Sequence, residues 1–391
     1  MTGFRKDHVP DTAGKRSPKV GWVYTQSLAR TRALTLFLLF LFLLAMPIAL
    51  LIIGKHNYLA MAATPTFNSS LSLWDHLNPV LFPLHIIIAI LSLVAVLVLS
   101  SAHFRYLYQQ NAVDIETSMP FNSNRQFAGR ALALLTSLLF IYIANAAATG
   151  IVFASWGIFS HFSSYLSLYV KMFASTIQLS AFSLVLLVLS GTLFDAVLLN
   201  VGIQITWIVS MIHILGITDR LNESPTDALW LLTPSAGLFT TMLWPLPIWQ
   251  PLVLIVFWTT MAWLFFRNRP AERAGVRNGR LSWYLAVQPL FALFGGVTLA
   301  RFLHELFATN DAFLQSPVFY IGLVLGALLG QFVSSVVAGK PLHKRTQESS
   351  TGAQLRAPIL RELMMSVLGI VLFAIITAIV WVSITPDIVI W

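Results

Sequence analysis

His304 and Glu305 stand side by side, three and four residues after Arg301. A His-Glu pair on a helix could open a zinc-protease motif. Here LFATN follows, so the second histidine that such a site needs is missing and metal-assisted hydrolysis is not expected. Arg301 and Glu305 share a helix face, and read either as a gate or substrate contact or as an interfacial ion pair. The chain contains no cysteine, which removes thiol catalysis, disulfides and Cys-ligated zinc. It has neither a G-x-x-x-x-G-K-[ST] phosphate loop nor a G-x-S-x-G nucleophile elbow. No metal site, no cofactor and no bond-breaking step are therefore expected of this chain itself.

The remaining candidates are polar groups set in apolar surroundings. Asp195 begins one apolar segment and Lys171 begins another. Asn145, Gln178, Ser180, Asn200 and Gln204 fall inside such segments, where polar groups are costly and mark either a polar path or interhelical hydrogen bonds. His85 and His213 are isolated and read as structural. No set of ionisable pairs resembles a proton relay, which weighs against a carrier driven by an ion gradient.

The elements that hold these groups follow from composition. Of 391 residues, 57% are hydrophobic and 10% charged, and the mean hydropathy is +0.78. A water-soluble domain cannot cover its surface from that balance. Runs of about 20 apolar residues recur, the length that crosses a hydrocarbon core of about 30 Å. The expected fold is all-α, a polytopic transmembrane bundle of about nine spans. They centre on about 33–53, 79–101, 130–156, 168–190, 194–216, 250–266, 284–306, 317–337 and 364–385, with residues 229–249 as a further re-entrant or surface-lying piece. Residues 1–18 are polar and expected to be a disordered tail. Residues 19–32 mix Trp22, Tyr24 and Leu28 with Lys19, Arg30 and Arg32, and read as a short interfacial helix feeding the first span. The transmembrane domain is then 33–391.

The net charge of +9 fits the bias that holds basic loops on the cytoplasmic side, and nucleic acid is not an expected partner. With the N-terminus cytoplasmic, every Lys and Arg except Lys55, Lys171, Arg220 and Arg301 falls inside. In the eighth span Gly322, Gly326, Gly330 and Ser334 recur every four residues, a stripe that lets helices approach closely. Its partner is either a helix of the same chain or a second subunit.

One polar stretch breaks the pattern. VDIETSMPFNSNRQFAGR, residues 113–130, belongs to a cytoplasmic loop at 102–129 between the second and third spans. Ser118 can cap a helix and Pro120 stops the preceding one, so a short helix, a break and a second helix are expected. Asp114, Glu116 and Arg125 then face water or a partner. From the residues alone this is either a solvated loop or a helix lying across the mouth of the bundle.

The stretch YLYQQNAVDIETSMPFNSNRQFAGRALALL resembles the Tyr … Val-Asp … Ser-Leu-Pro … Arg-x-Phe signature of bacterial ABC transporter permeases of the type-2 exporter class. A second patch, FRNRPAERAG at 266–275, is similar to a basic stretch ending Glu-(Lys/Arg)-Ala-Gly in those permeases. Met119 stands where they usually have Leu, and Ser123 where they often have a basic residue. The resemblance implies a multi-pass permease subunit of a bacterial plasma membrane, exporting its cargo. Its expected partners are a separate ATPase subunit carrying ATP and Mg, membrane lipids, and a second copy or sister permease. Tyr108, Asp114, Glu116, Ser118, Pro120, Arg125 and Phe127 would form the segment gripped by the ATPase. Glu272, Arg273, Ala274 and Gly275 would form the second cytoplasmic patch. The competing readings are a secondary transporter and a membrane sensor that moves nothing.

Overall fold

The computed structural model describes residues 20–54, 56, 73–109, 113, 123–156, 159, 162–217, 238, 249–269, 281–307, 313–337 and 364–378. Every extended element among these residues is helical, because a backbone in hydrocarbon must bond to itself. In chain order they are α1 (Val20–Leu43), α2 (Leu73–Phe104), α3 (Ser123–Ser155), α4 (Phe162–Leu189), α5 (Leu193–Ile217), α6 (Trp249–Arg267), α7 (Leu281–Phe307), α8 (Pro317–Val337) and α9 (Met364–Ala378). The protein is an all-α bundle of nine helices among the described residues. Seven are long and apolar enough to cross a membrane, so the chain is membrane-embedded. In α5 and α9 the apolar stretches are shorter, at Leu193–Trp207 and Met364–Ala378. The tail at 1–18 lies outside the described residues, as does 229–248 apart from Leu238, which is buried.

The expected short helix at 19–32 is continuous with the first span. From Val20 onward it is the first part of α1, which runs unbroken to Leu43. Val23, Ser27, Thr31 and Thr35 are all buried, one per turn, so this stretch packs into the bundle with its small residues inward. A Cβ on Gly129 would lie 2.9 Å from Val23 Cβ, which shows how closely α1 and α3 approach. Beyond Leu43 the helix widens into π turns at Leu44–Ile48 and Leu50–Gly54, around Pro47. Proline has no amide hydrogen, so the regular ladder cannot pass through it.

The core falls into two bodies of side chains with a bridge between them. The larger joins α1, α2, α3, α4 and α6 and includes the fully enclosed Phe42, Ile88, Leu99, Phe104 and Phe153. The second joins α5, α7, α8 and α9 through Ile214, Leu293, Val297, Phe319, Leu323 and Phe373. Phe182 and Leu186 of α4 meet Leu199 and Ile203 of α5, with Leu290 and Phe291 of α7 against them. Helix α4 is central: 89% of its apolar stretch is buried, against 17% for α6.

The glycine stripe of α8 is spent within the chain. A Cβ on Gly322 would stand 2.6 Å from Ala300 Cα, and Cβ atoms on Gly326 and Gly330 would press on the carbonyls of Gly295 and Phe291. Helices α7 and α8 therefore touch backbone to backbone over three turns. A Cβ on Gly369 of α9 would stand 2.6 Å from Ala292 Cβ, bringing a third helix to the same seam.

Candidate functional site

The face that carries the start of α1 also gathers the ends of α2, α4 and α6 and the start of α3. Each helix that ends there leaves carbonyls without intrahelical donors, and cations are favoured beside them. Two arginines meet that need. Arg269, just past α6, donates from Nη1 to Val188 O at 2.6 Å and to Leu187 O at 3.2 Å. Its Nη2 donates to Leu107 O at 3.0 Å, in the 3-10 turn Arg105–Tyr108 that ends α2. One guanidinium thus ties α6 to the exits of α2 and α4, a task its forked donors suit. Arg130 of α3 donates to His103 O at 3.0 Å and lies 3.6 Å from the centre of the Tyr106 ring. His103 Nδ1 in turn lies 2.7 Å from Ser27 Oγ of α1.

Aromatic packing fixes the same face. Phe127 is buried, with its ring 6.1 Å from that of Phe104 and 5.3 Å from that of Phe266. Tyr108 donates its hydroxyl to Leu187 O at 2.8 Å, and Arg269 lies 5.6 Å from its ring centre. Trp263 Nε1 donates to Asn124 Oδ1 at 3.0 Å, holding α6 to the first turn of α3. Beside this cluster α5 starts on a side-chain cap: the Asp195 amide donates to Thr192 Oγ1 at 3.1 Å. Asp195 itself is buried there.

The expected coupling residues divide on this geometry. Arg125 is exposed on the first turn of α3. Tyr108 and Phe127 point into the bundle, so they brace the ends of the loop rather than form its outer surface. Asp114, Glu116, Ser118 and Pro120 lie outside the described residues, as do Glu272, Arg273, Ala274 and Gly275. Between the loop's ends, Val113 is buried and its amide donates to Gln109 O at 2.9 Å.

Among the described residues, several polar groups of the spans bond across helices. Asn145 of α3 donates from Nδ2 to Phe42 O at 2.7 Å and accepts from Tyr169 OH at 2.8 Å. Phe42 lies in the last turn of α1 before the π turns around Pro47, where the regular ladder is disturbed. The Tyr142 hydroxyl lies 2.6 Å from Ser92 Oγ and 2.7 Å from Thr176 Oγ1, joining α2, α3 and α4. These are interhelical ties. Asn200 donates to Ser183 Oγ at 2.7 Å, which joins α5 to α4. Gln178, Ser180 and Gln204 are buried.

At the opposite face Arg301 donates from Nε to Glu305 Oε1 at 2.7 Å, and its Nη1 lies 3.4 Å from His213 Nδ1 of α5. Arg301 is half-buried and Glu305 exposed, and a pair so open to solvent contributes little to stability. Among the described residues no group of three His, Asp or Glu is placed to hold a metal.

In the sequence Arg130 and Arg269 stand out as cytoplasmic charges inside the stretches 113–130 and 266–275, with no sign of their carbonyl partners. Their sequence signal is position: each stands at a helix end that faces carbonyl-rich termini. Comparison of the chain with models of known protein families, with curated proteins and with solved structures finds no match.

Proposed function

We propose that the chain is the membrane-spanning permease subunit of an ATP-driven ABC exporter in a bacterial plasma membrane. It works as a homodimer or with a sister permease, beside two copies of a separate ATPase subunit that carry the ATP and Mg. One observation supports this reading above the others. The two stretches that resemble the permease class, 108–127 and 266–275, are far apart in sequence, yet their described ends meet on one face. Phe127 and Phe266 pack ring against ring, and Arg269 reaches Leu107 O and the Tyr108 ring. A partner that grips either stretch would pull on the exits of α2 and α4 together.

In this reading ATP binding closes the ATPase pair, and the 102–129 loop carries that displacement into the spans. The nucleotide can shift the bundle only by its different affinity for the two shapes of the complex. This chain contributes levers and no bond-breaking chemistry.

The test is association. With a candidate ABC ATPase subunit co-expressed and found to co-purify with the parent chain, Asp114→Lys combined with Arg125→Glu is expected to abolish co-purification while leaving the thermal transition of the permease in place. Unchanged co-purification would remove the coupling assignment. Transport by the chain alone in vesicles, driven by an ion gradient, would replace the whole reading with a secondary carrier.

A further inference from the structure

Buried polar atoms without a hydrogen-bond partner occur in both bodies of the core, His85 Nε2 and Tyr165 OH among them, but at Gln331 every polar atom of a side-chain amide is in that position. Around α1–α4 the amide of Asn145 and the hydroxyls of Tyr142 and Tyr169 are bonded across helices. Around α5, α7 and α8 two glutamines and a tryptophan carry buried polar atoms without a partner. Gln331 of α8 is 2% exposed, and neither its Oε1 nor its Nε2 has a hydrogen-bond partner. Gln288 Oε1 of α7 and Trp207 Nε1 of α5 are likewise buried without one.

The close backbone contacts fix their depth. Gly330 lies against Phe291 O and Ala292 Cα, so its neighbour Gln331 stands level with the turn of α7 that begins at Gln288. Gly202 of α5 lies under the Phe291 ring, so the α5 face reaches the same turn. No Asp, Glu, Lys or Arg occurs in 196–212, 284–300, 317–337 or 364–378, the segments around this level. The seam therefore offers donors and acceptors without a charge. A buried amide left without partners is strongly disfavoured, and the ready remedy is a small molecule that both donates and accepts.

We propose that the Gln288–Gln331 level between α5, α7 and α8 is a hydrated site for small uncharged molecules with donor and acceptor groups. This would be the polar interior of the protein, in place of the region around Asn145. The proposal is independent of any ATPase, because a carrier or a sensor would have the same seam.

The absence of native cysteine makes the test direct. Gln331→Cys and Gln288→Cys are labelled in membrane vesicles with 2-hydroxyethyl methanethiosulfonate, a small neutral reagent whose sulfur the thiolate attacks, forming a mixed disulfide and releasing methanesulfinate. Ala327→Cys, one turn away on α8, and Asn145→Cys serve as dry references; both parent residues are fully enclosed. Apolar surroundings raise a thiol's pKa, and each unit removes thiolate about tenfold, so Cys at 331 and 288 is expected to react at least about tenfold faster than the references. Equal rates would overturn the proposal. The trimethylammonium analogue is expected to react more slowly at both glutamine positions, and a preference for the cation would overturn the assignment to uncharged ligands. A second measurement needs no label. Gln331→Leu should leave the melting temperature of the detergent-purified protein unchanged or lower; a clear rise would show a dry seam and sink the idea.

Discussion

Asn145 shows what one buried amide can hold. It lies on α3, accepts from Tyr169 on α4 and donates to Phe42 O on α1, just before the π turns around Pro47. Asn145→Leu keeps the volume but strands that carbonyl in a dry interior, and is expected to cost about 1–2 kcal/mol. Tyr169→Phe removes one bond while leaving Asn145 its other partner, and is expected to cost roughly half as much. Thermal unfolding in detergent measures both, and an Asn145→Leu protein as stable as the parent would show that the bond is not needed. The sequence marks Asn145 as a polar residue in an apolar span. It does not mark the acceptor, because that acceptor is a main-chain carbonyl of another helix, which any residue type could supply. The same limit hides Arg269, whose three partners are carbonyls and carry no residue signature.

At the level of elements the α7–α8 pair is decided by glycine. A Cβ on Gly326 would press on the Gly295 carbonyl, and backbone cannot move aside as a flexible side chain can. Gly326→Ala is expected to cost about 1–3 kcal/mol and Gly326→Leu more, seen as a lower melting temperature and loss of monodisperse protein on extraction. Gly21→Ala is the control: its Cβ would meet nothing within 4 Å, and removing a helical glycine should be neutral or mildly stabilising. If Gly326→Leu behaved like Gly21→Ala, the seam would not be a tight contact. The stripe itself was legible from its four-residue spacing. Which surface it met was not, since small residues announce a close approach without naming the partner. The buried face at the start of α1 was not legible for a related reason. Ser27 and Thr31 look like surface residues, but His103 supplies a buried partner for Ser27, and Thr31 returns its hydroxyl to Ser27 O at 3.2 Å.

Among the described residues, the hydropathy runs coincide with nine helices, and for the seven long enough to cross a membrane this follows because length and apolarity are demanded by the bilayer rather than by neighbouring helices. The charge bias sets the expected orientation. A Cys placed at Ser123, on the first turn of α3, is expected to react with an impermeant thiol reagent only from the cytoplasmic side of oriented vesicles. Labelling from the outside would invert the topology. The arrangement of the bundle also bears on how it can change shape. Two rods in main-chain contact at Gly322, Gly326 and Gly330 cannot slide by half a turn without driving carbonyls into Cα atoms, so they must travel as one plank. Any rearrangement that alternates between the two sides of the membrane is left to the joint between α4 and α5. There Phe182 and Leu186 meet Leu199 and Ile203 through side chains alone, and rotamers can give way.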